Sequence, residues 1–285
     1  MRVISTKSEL QNHISKTKLS PVGFVPTMGA LHEGHISLVE SAVKQCPIAV
    51  VSIYVNPNQF NDKNDLINYP RTLEADLKLL EKALRINDVV FTPDNNEIYP
   101  EEDKRQFKFG NLDMVMEALH RPGHFNGVAQ VVSRLFDIVK PDIALFGEKD
   151  FQQLAVIKKL VRQTGNKVRI TGYPIIREKD GLAMSSRNRL LEPEIRENAS
   201  IIFKTLTVAS SMIRLSDVPE IKFYVETNIK SVSGFEIEYF EIVDDSELIP
   251  VSKKSDMKKG CRYFGCIAVK AGRIRLIDNI EFRLV

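Results

Sequence analysis

Up to Tyr173 the sequence alternates between two kinds of segment, and that alternation constrains the fold more than any other feature. Short apolar runs at Val22 to Val25, Ile48 to Val55, Asp88 to Phe91, Asp142 to Phe146 and Val168 to Ile170 have the continuous apolar character of buried parallel strands. Between them, His35 to Gln45, Arg71 to Leu84, Asn126 to Val139 and Phe151 to Gly165 carry apolar residues at helical spacing. Strand and helix in alternation predict parallel strands joined by right-handed crossovers, an α/β fold built on a Rossmann-like doubly wound parallel sheet.

After Tyr173 and Pro174 the texture changes. Helical stretches at Glu192 to Leu215 and Glu220 to Val232 precede alternating segments at Phe235 to Val243 and Tyr263 to Ile277, with a hairpin signal at Ala271-Gly272. Helices followed by antiparallel strands predict a second, smaller α+β domain. The expected division is 1–176 for the parallel-sheet domain and 177–285 for the smaller one.

Composition narrows the function classes. The 285 residues are 43% hydrophobic and 27% charged, the balance of an ordinary globular chain. Forty basic and 37 acidic residues nearly cancel to +3, and no long block of one sign occurs, so nucleic acid is not expected as a partner. Cys46, Cys261 and Cys266 form an odd set without CxxC pairs, against both a disulfide framework and a structural zinc site. MRVISTKSEL lacks a signal-peptide apolar region, and no segment reaches the roughly 18 apolar residues of a membrane span. A reducing, cytoplasmic setting without membrane contact is expected.

The segment VPTMGALHEGH, Val25 to His35, follows the first apolar run and holds two of the five histidines. Open α/β sheets bind ligands at the carboxyl ends of their strands, where a loop enters a helix whose free N–H groups favour anions. Gly29 and Gly34 let backbone approach a phosphate, and His32 and His35 can donate to its oxygens. Gly29 to Gly34 has P-loop spacing, but His35 and Ile36 stand where that motif needs Lys and Ser or Thr. A zinc pair is a further reading, although HEGH is not HExxH and no third ligand is evident; a polar turn with incidental histidines is another.

Three more segments join this one. REKDGLAMSSRNRLL, Arg177 to Leu191, offers the Ser185 and Ser186 hydroxyls and an Arg187 fork for phosphate, or simply a helix N-cap. LFGEKDFQQL, Leu145 to Leu154, sets Lys149 and Asp150 in a strand-to-helix turn with Gln153 about one helical turn further on, against the default of a surface ion pair. VNPNQF puts Asn56 and Gln59 at a strand end, where they can hold a hydroxyl or carboxylate, or cap a loop.

PTMGALHEGH, VNPNQF, YPRT (Tyr69 to Thr72), RPGHF (Arg121 to Phe125), FGEKDFQQL and DGLAMSSRN together resemble the pantothenate synthetase (pantoate:beta-alanine ligase) family, in that family's order and from the first strand to the domain boundary. HxGH and MSSRN look like its versions of the HIGH and KMSKS signatures shared with class I aminoacyl-tRNA synthetases and other nucleotidyltransferases. The resemblance implies condensation of pantoate with beta-alanine using ATP and Mg2+, through a pantoyl-adenylate, with release of AMP and pyrophosphate, by a cytoplasmic homodimer. It also implies that Met28, Gly29, Ala30, Leu31, His32, Glu33, Gly34 and His35 line the ATP site, with His35 as proton donor. Gly147, Glu148, Lys149, Asp150, Ile176, Met184, Ser185, Ser186 and Arg187 would also hold ATP. Gln59 and Gln153 would bind pantoate, with Gln59 bordering beta-alanine, and Asn56 and Arg121 would complete the substrate site. Glu117 and Arg121 match the family's E-x-x-x-R pair, with Ala118 where members often show glycine. No protein ligand for the metal follows.

Chemically, an ionised carboxylate attacking an α-phosphorus needs no general base, so His32, His35, Lys149, Ser185, Ser186 and Arg187 are expected to act electrostatically. Rival readings are a nucleotidyltransferase whose product retains AMP, a tRNA synthetase, for which roughly 100 residues past the boundary leave little room, and a non-catalytic nucleotide sensor.

Overall fold

The computed structural model describes residues 1–283. Six strands form one sheet: β1 (Arg2–Ile4), β2 (Val22–Thr27), β3 (Ile48–Ile53), β4 (Val89–Phe91), β5 (Ile143–Gly147) and β6 (Arg169–Tyr173), in the order β1-β4-β3-β2-β5-β6. Every neighbouring pair is parallel. The continuous apolar runs follow from this. A strand covered on both faces needs apolar residues at successive positions, and Val50, Val51, Val89 and Val90 are all fully buried.

The chain runs outward from β2 through β3 to β4, then returns to the other side of β2 as β5 and continues to β6. The strand order therefore reverses between β2 and β5. Their ladder covers only Gly23–Phe24 against Ile143–Ala144, so it ends before the strands do. The carboxyl ends of β2 and β5 are where an open sheet of this kind takes its ligand.

One face of this sheet packs Val25, Val51, Val90 and Leu145 against Leu31, Ile36, Val39 and Leu80. On the other, Phe24 meets Phe136 of the helix His124–Val139 edge-on, with ring centroids 6.3 Å apart.

Two elements at the start of the chain escape the apolar pattern. β1 is three residues long with only Ile4 buried, and the helix Lys7–Thr17 buries only Leu10 and His13. Neither gives enough periodic apolar residues to register. In the C-terminal part, β7 (Phe235–Asp244) is followed by β8 (Tyr263–Ala271) and β9 (Ile274–Phe282). The Tyr263 to Ile277 segment thus divides into two strands, turning at Gly272 with φ +59°. The three strands make an antiparallel sheet in the order β7-β8-β9. The helices Ile201–Met212 and Val218–Lys230 bury Ile202, Leu206, Ile221 and Val225 in a core with Ile242, Ile267 and Val269.

The chain forms two compact units. The first holds Met1–Phe109, Arg121–Glu148 and Val156–Pro174; the second holds Gly110–His120, Lys149–Ala155 and Ile175–Val285. A single cut in sequence does not describe them, because two short segments from within the first stretch are bonded to the antiparallel sheet. Among the described residues, no helix is long and apolar enough to cross a membrane.

Candidate active site

In the first unit, the loop after β2 is shaped from beneath. Gly29 and Ala30 both take left-handed backbone, with φ +82° and +50°. A Cβ on Gly29 would lie 3.0 Å from Asp76 Oδ2 and 3.1 Å from Ile53 Cγ2, so glycine serves both the turn and the close approach. Asp76, only 1% exposed, accepts the Ala30 N–H at 2.9 Å and the Leu31 N–H at 2.8 Å, and the Thr72 hydroxyl donates to it at 3.1 Å. The Gly29 N–H donates to Thr27 Oγ1 at 3.2 Å.

Sequence reasoning passed over Asp76, although a signal exists. It lies four residues before Leu80 on the buried face of the helix Leu73–Leu80, where helical spacing calls for an apolar residue. A carboxylate there must have partners, and the loop amides are those partners.

His32 then caps the helix Glu33–Gln45. Its Nδ1 accepts the Gly34 N–H at 3.2 Å, while His35 Nδ1 accepts the His32 N–H at 3.4 Å. The two rings lie 4.1 Å apart, centroid to centroid. Because both Nδ1 atoms act as acceptors, each neutral ring carries its proton on Nε2. The pair therefore offers two Nε2–H donors at the head of a 13-residue helix, whose dipole and first amides favour the same negative charge. The spacing in HEGH is thus the spacing of a reciprocal cap, with both histidines held by backbone.

A second wall follows β3. Asn56 is 1% exposed; its Nδ2 donates to Gly127 O at 3.1 Å and to Gln59 Oε1 at 3.3 Å, and its Oδ1 accepts the Tyr99 hydroxyl at 3.1 Å. Asn56 thereby fixes Gln59, whose Nε2 reaches Met28 Sδ at 3.2 Å and joins this wall to the loop after β2. His124 donates from Nδ1 to the Gln59 carbonyl at 2.8 Å, which leaves Nε2 to accept from Arg121 Nη1 at 3.1 Å. Arg121 acts here through His124 on Gln59. Burial pushes the Tyr99 hydroxyl well above its ordinary pKa, and nearby Tyr54 and Asp103 add to the rise, so it stays a donor.

The helix His124–Val139 presses directly on this wall. A Cβ at Gly127 would come within 2.3 Å of the Asn58 carbonyl oxygen and 2.8 Å of Gln59 Cα. Backbone cannot yield as a flexible side chain does. Gly127→Ala is expected to cost about 1–3 kcal/mol of stability, measured by urea unfolding.

Gly147 and Glu148 end β5 at the strand-order reversal, with the Glu148 N–H donating to Tyr173 O at 2.8 Å. The remaining sequence-derived site residues belong to the second unit. Lys149 and Asp150 form the turn into the helix Phe151–Thr164, Asn279 Nδ2 donates to Lys149 O at 3.2 Å, and Gln153 is half-buried in the first helical turn.

Ile176 accepts the Met184 N–H at 3.0 Å, and Arg177 bridges to Ala183. These pairs fold 176–184 back on itself and deliver Met184 to Arg187 at its end. Ser185 caps the 3-10 turn Ser186–Leu190 by accepting the Arg187 N–H at 3.3 Å, which is the N-cap alternative for this segment. Asn188 Nδ2 secures the turn to Glu178 Oε1 at 2.7 Å and Ala183 O at 3.1 Å. Beneath it, Arg177 forks onto Asp278 at 2.6 and 2.9 Å and lies 3.8 Å from the centroid of the Phe203 ring. Burial raises the Asp278 pKa, while Arg177 works to hold the carboxylate charged.

Glu117, from the E-x-x-x-R pair, sits with its carboxylate in the second unit's own sheet, bound by Arg275 and Tyr239. Ala118 lies inside the short helix Glu117–His120, where alanine is a strong helix former. Among the described residues, no group of three or more His, Cys, Asp or Glu is placed to hold a metal ion.

A family model described as pantoate-beta-alanine ligase matches residues 2–281. A pantothenate synthetase of Azobacteroides pseudotrichonymphae is 51% identical over 284 residues, covering 99% of this chain and 100% of that protein. Among solved structures, a pantothenate synthetase of Thermus thermophilus superposes with a TM-score of 0.91 at 41% identity, covering 100% of both chains. A pantoate-beta-alanine ligase of Francisella tularensis, solved with beta-gamma ATP and beta-alanine, matches with a TM-score of 0.77 at 33% identity, covering 98% of this chain and 97% of that one.

Proposed function

The chain belongs to the pantoate-beta-alanine ligase family, and from that premise we propose that the residues of the two units perform its reaction as follows. The chain is a ligase that forms pantothenate from pantoate and beta-alanine, using ATP. The observation that carries the residue assignment is the loop after β2, where two Nε2–H donors and a helix N-terminus meet at the strand-order reversal.

In the first half-reaction a pantoate carboxylate oxygen bonds to the α-phosphorus of ATP as the α–β bridging P–O bond breaks and pyrophosphate leaves. The carboxylate is ionised at neutral pH, so no base is needed. The barrier is electrostatic, because charge builds on the phosphoryl oxygens and the leaving group. His32, His35, Lys149, Ser185, Ser186 and Arg187 supply donors to the phosphates, and each donor strengthens as that charge develops. The rest of Met28–His35, with Gly147, Glu148, Asp150, Ile176 and Met184, completes the nucleotide site. Gln59 and Gln153 hold pantoate, with Asn56 and Arg121 fixing Gln59.

In the second half-reaction the beta-alanine amine attacks the adenylate carbonyl carbon, the C–O bond to phosphate breaks, and AMP departs while the amine loses its proton. A lysine-like amine is about 10⁻³ to 10⁻⁴ neutral at pH 7, so selecting that form is part of the catalysis. Keeping water from the readily hydrolysed adenylate is the proposed part of the smaller C-terminal domain. The donor set fits Mg2+ carried on the triphosphate, as this ion is commonly held through substrate phosphates; it would neutralise charge there. The reading also includes a cytoplasmic homodimer, which light scattering of the purified chain tests for its dimeric part.

The product separates this reading from an adenylyltransferase and from a sensor. Supplied with ATP, pantoate and beta-alanine, the protein is expected to release AMP in proportion to pantothenate, with omission of any one substrate abolishing both. A product that retains the AMP moiety, or no turnover at all, contradicts the reading.

A further inference from the structure

The Lys149–Gln153 turn is held by residues that the reaction itself does not require. Gln152 is 3% exposed, and all of its side-chain amide is engaged: Nε2 donates to Leu112 O at 2.8 Å and Val115 O at 2.9 Å, and Oε1 accepts the Glu117 N–H at 3.0 Å. Gln152 is thus wrapped by the Gly110–His120 segment. That segment is in turn pinned through the Glu117 carboxylate, to which Arg275 forks at 2.7 and 2.8 Å and the Tyr239 hydroxyl donates at 2.7 Å.

The sheet is built to make these contacts. Residues four apart on a strand share a face, so Arg275 and Asn279 of β9 point the same way; Asn279 holds Lys149 O directly, and Arg275 acts through Glu117. On β7 the register shifts between Ile237 and Tyr239. This irregularity lets consecutive residues serve one cluster, Tyr239 on Glu117 and Glu238 on Arg275 at 2.8 Å from Nε, where a regular strand would send them to opposite faces. The arrangement sets one guanidinium against two carboxylates, with side-chain exposures of 24% for Arg275, 9% for Glu117 and 13% for Glu238.

We propose that Arg275 is a positioning residue for the ligase reaction: through Glu117 and Gln152 it fixes the turn that presents Lys149 and Gln153. The inference rests on the assignment of Gln153 to pantoate.

A double-mutant cycle of Arg275→Met and Gln153→Ala in the full-length protein, read as the pantoate KM, tests it. Each single change is expected to raise that KM about tenfold, and the double variant no further than the more severe single one, because residues acting through one contact are not additive. Arg275→Lys should recover part of the loss, and the beta-alanine KM should stay within about twofold, since Gln59 borders that substrate. If Arg275→Met does not fold, Tyr239→Phe, which removes one bond to Glu117, takes its place in the cycle with an expected rise of about threefold. Effects that multiply in the double variant, or an unchanged pantoate KM with only a lowered melting temperature, overturn the proposal. A wild-type pantoate KM in Gln153→Ala alone overturns the assignment of Gln153, and the inference with it; that failure appears in the single variant, before the cycle is closed.

Discussion

Lys149→Ala or His35→Ala is expected to slow pantoate-dependent exchange of pyrophosphate into ATP by about 100-fold or more, which is the usual cost of losing one preorganised donor to developing charge. For His35 the expectation comes from its geometry. Its Nδ1 is engaged by the His32 backbone, so the neutral ring donates from Nε2–H, and alanine removes that donor together with half of the reciprocal cap. Lys149 stands at the turn out of β5 with its carbonyl tied to Asn279, so its backbone stays in place when the ammonium is lost. Circular dichroism of both variants should match the unsubstituted protein. Exchange at the unsubstituted rate in both would contradict electrostatic catalysis by these donors.

Asp76→Ala is expected to be costly in a different way. The side chain has no proposed contact with substrate, yet it accepts two loop amides and a hydroxyl from a buried position. Removing a charged acceptor of that kind costs about 3 kcal/mol in equilibrium unfolding by urea. Gly29 and Ala30 hold left-handed backbone only while the loop is anchored, so exchange should also fall at least about tenfold, through displacement of His32 and His35. Asp76→Asn keeps the shape but turns one oxygen into a donor facing an N–H, and is expected to rescue little. An Asp76→Ala variant with full stability and full activity would show that the loop holds its shape without this anchor.

The sequence made the central sheet and the position of the histidines legible for one reason: strands buried on both faces and amphipathic helices leave strong apolar periodicities. β1 left no such trace, because a three-residue edge strand with one buried residue has no period to detect. The HxGH and VNPNQF segments were legible as strand-end loops because their polar residues follow apolar runs. The supports behind them were not. Asp76, Gln152 and Arg275 act by contacts 46, 35 and 158 residues away in sequence, and no local spacing encodes those partners. Gly110–His120 and Lys149–Ala155 join the second unit for the same reason: long-range hydrogen bonds, invisible to a window of neighbouring residues, decide where they belong.

The adenylate route is tested most directly by isotope exchange with one substrate withheld. With ATP, Mg2+ and pantoate present and beta-alanine absent, labelled pyrophosphate should appear in ATP, because the first half-reaction is complete and reversible on its own. Exchange that begins only when beta-alanine is added would contradict a free-standing adenylate and the phosphate-binding roles of His32, His35 and Lys149 that depend on it.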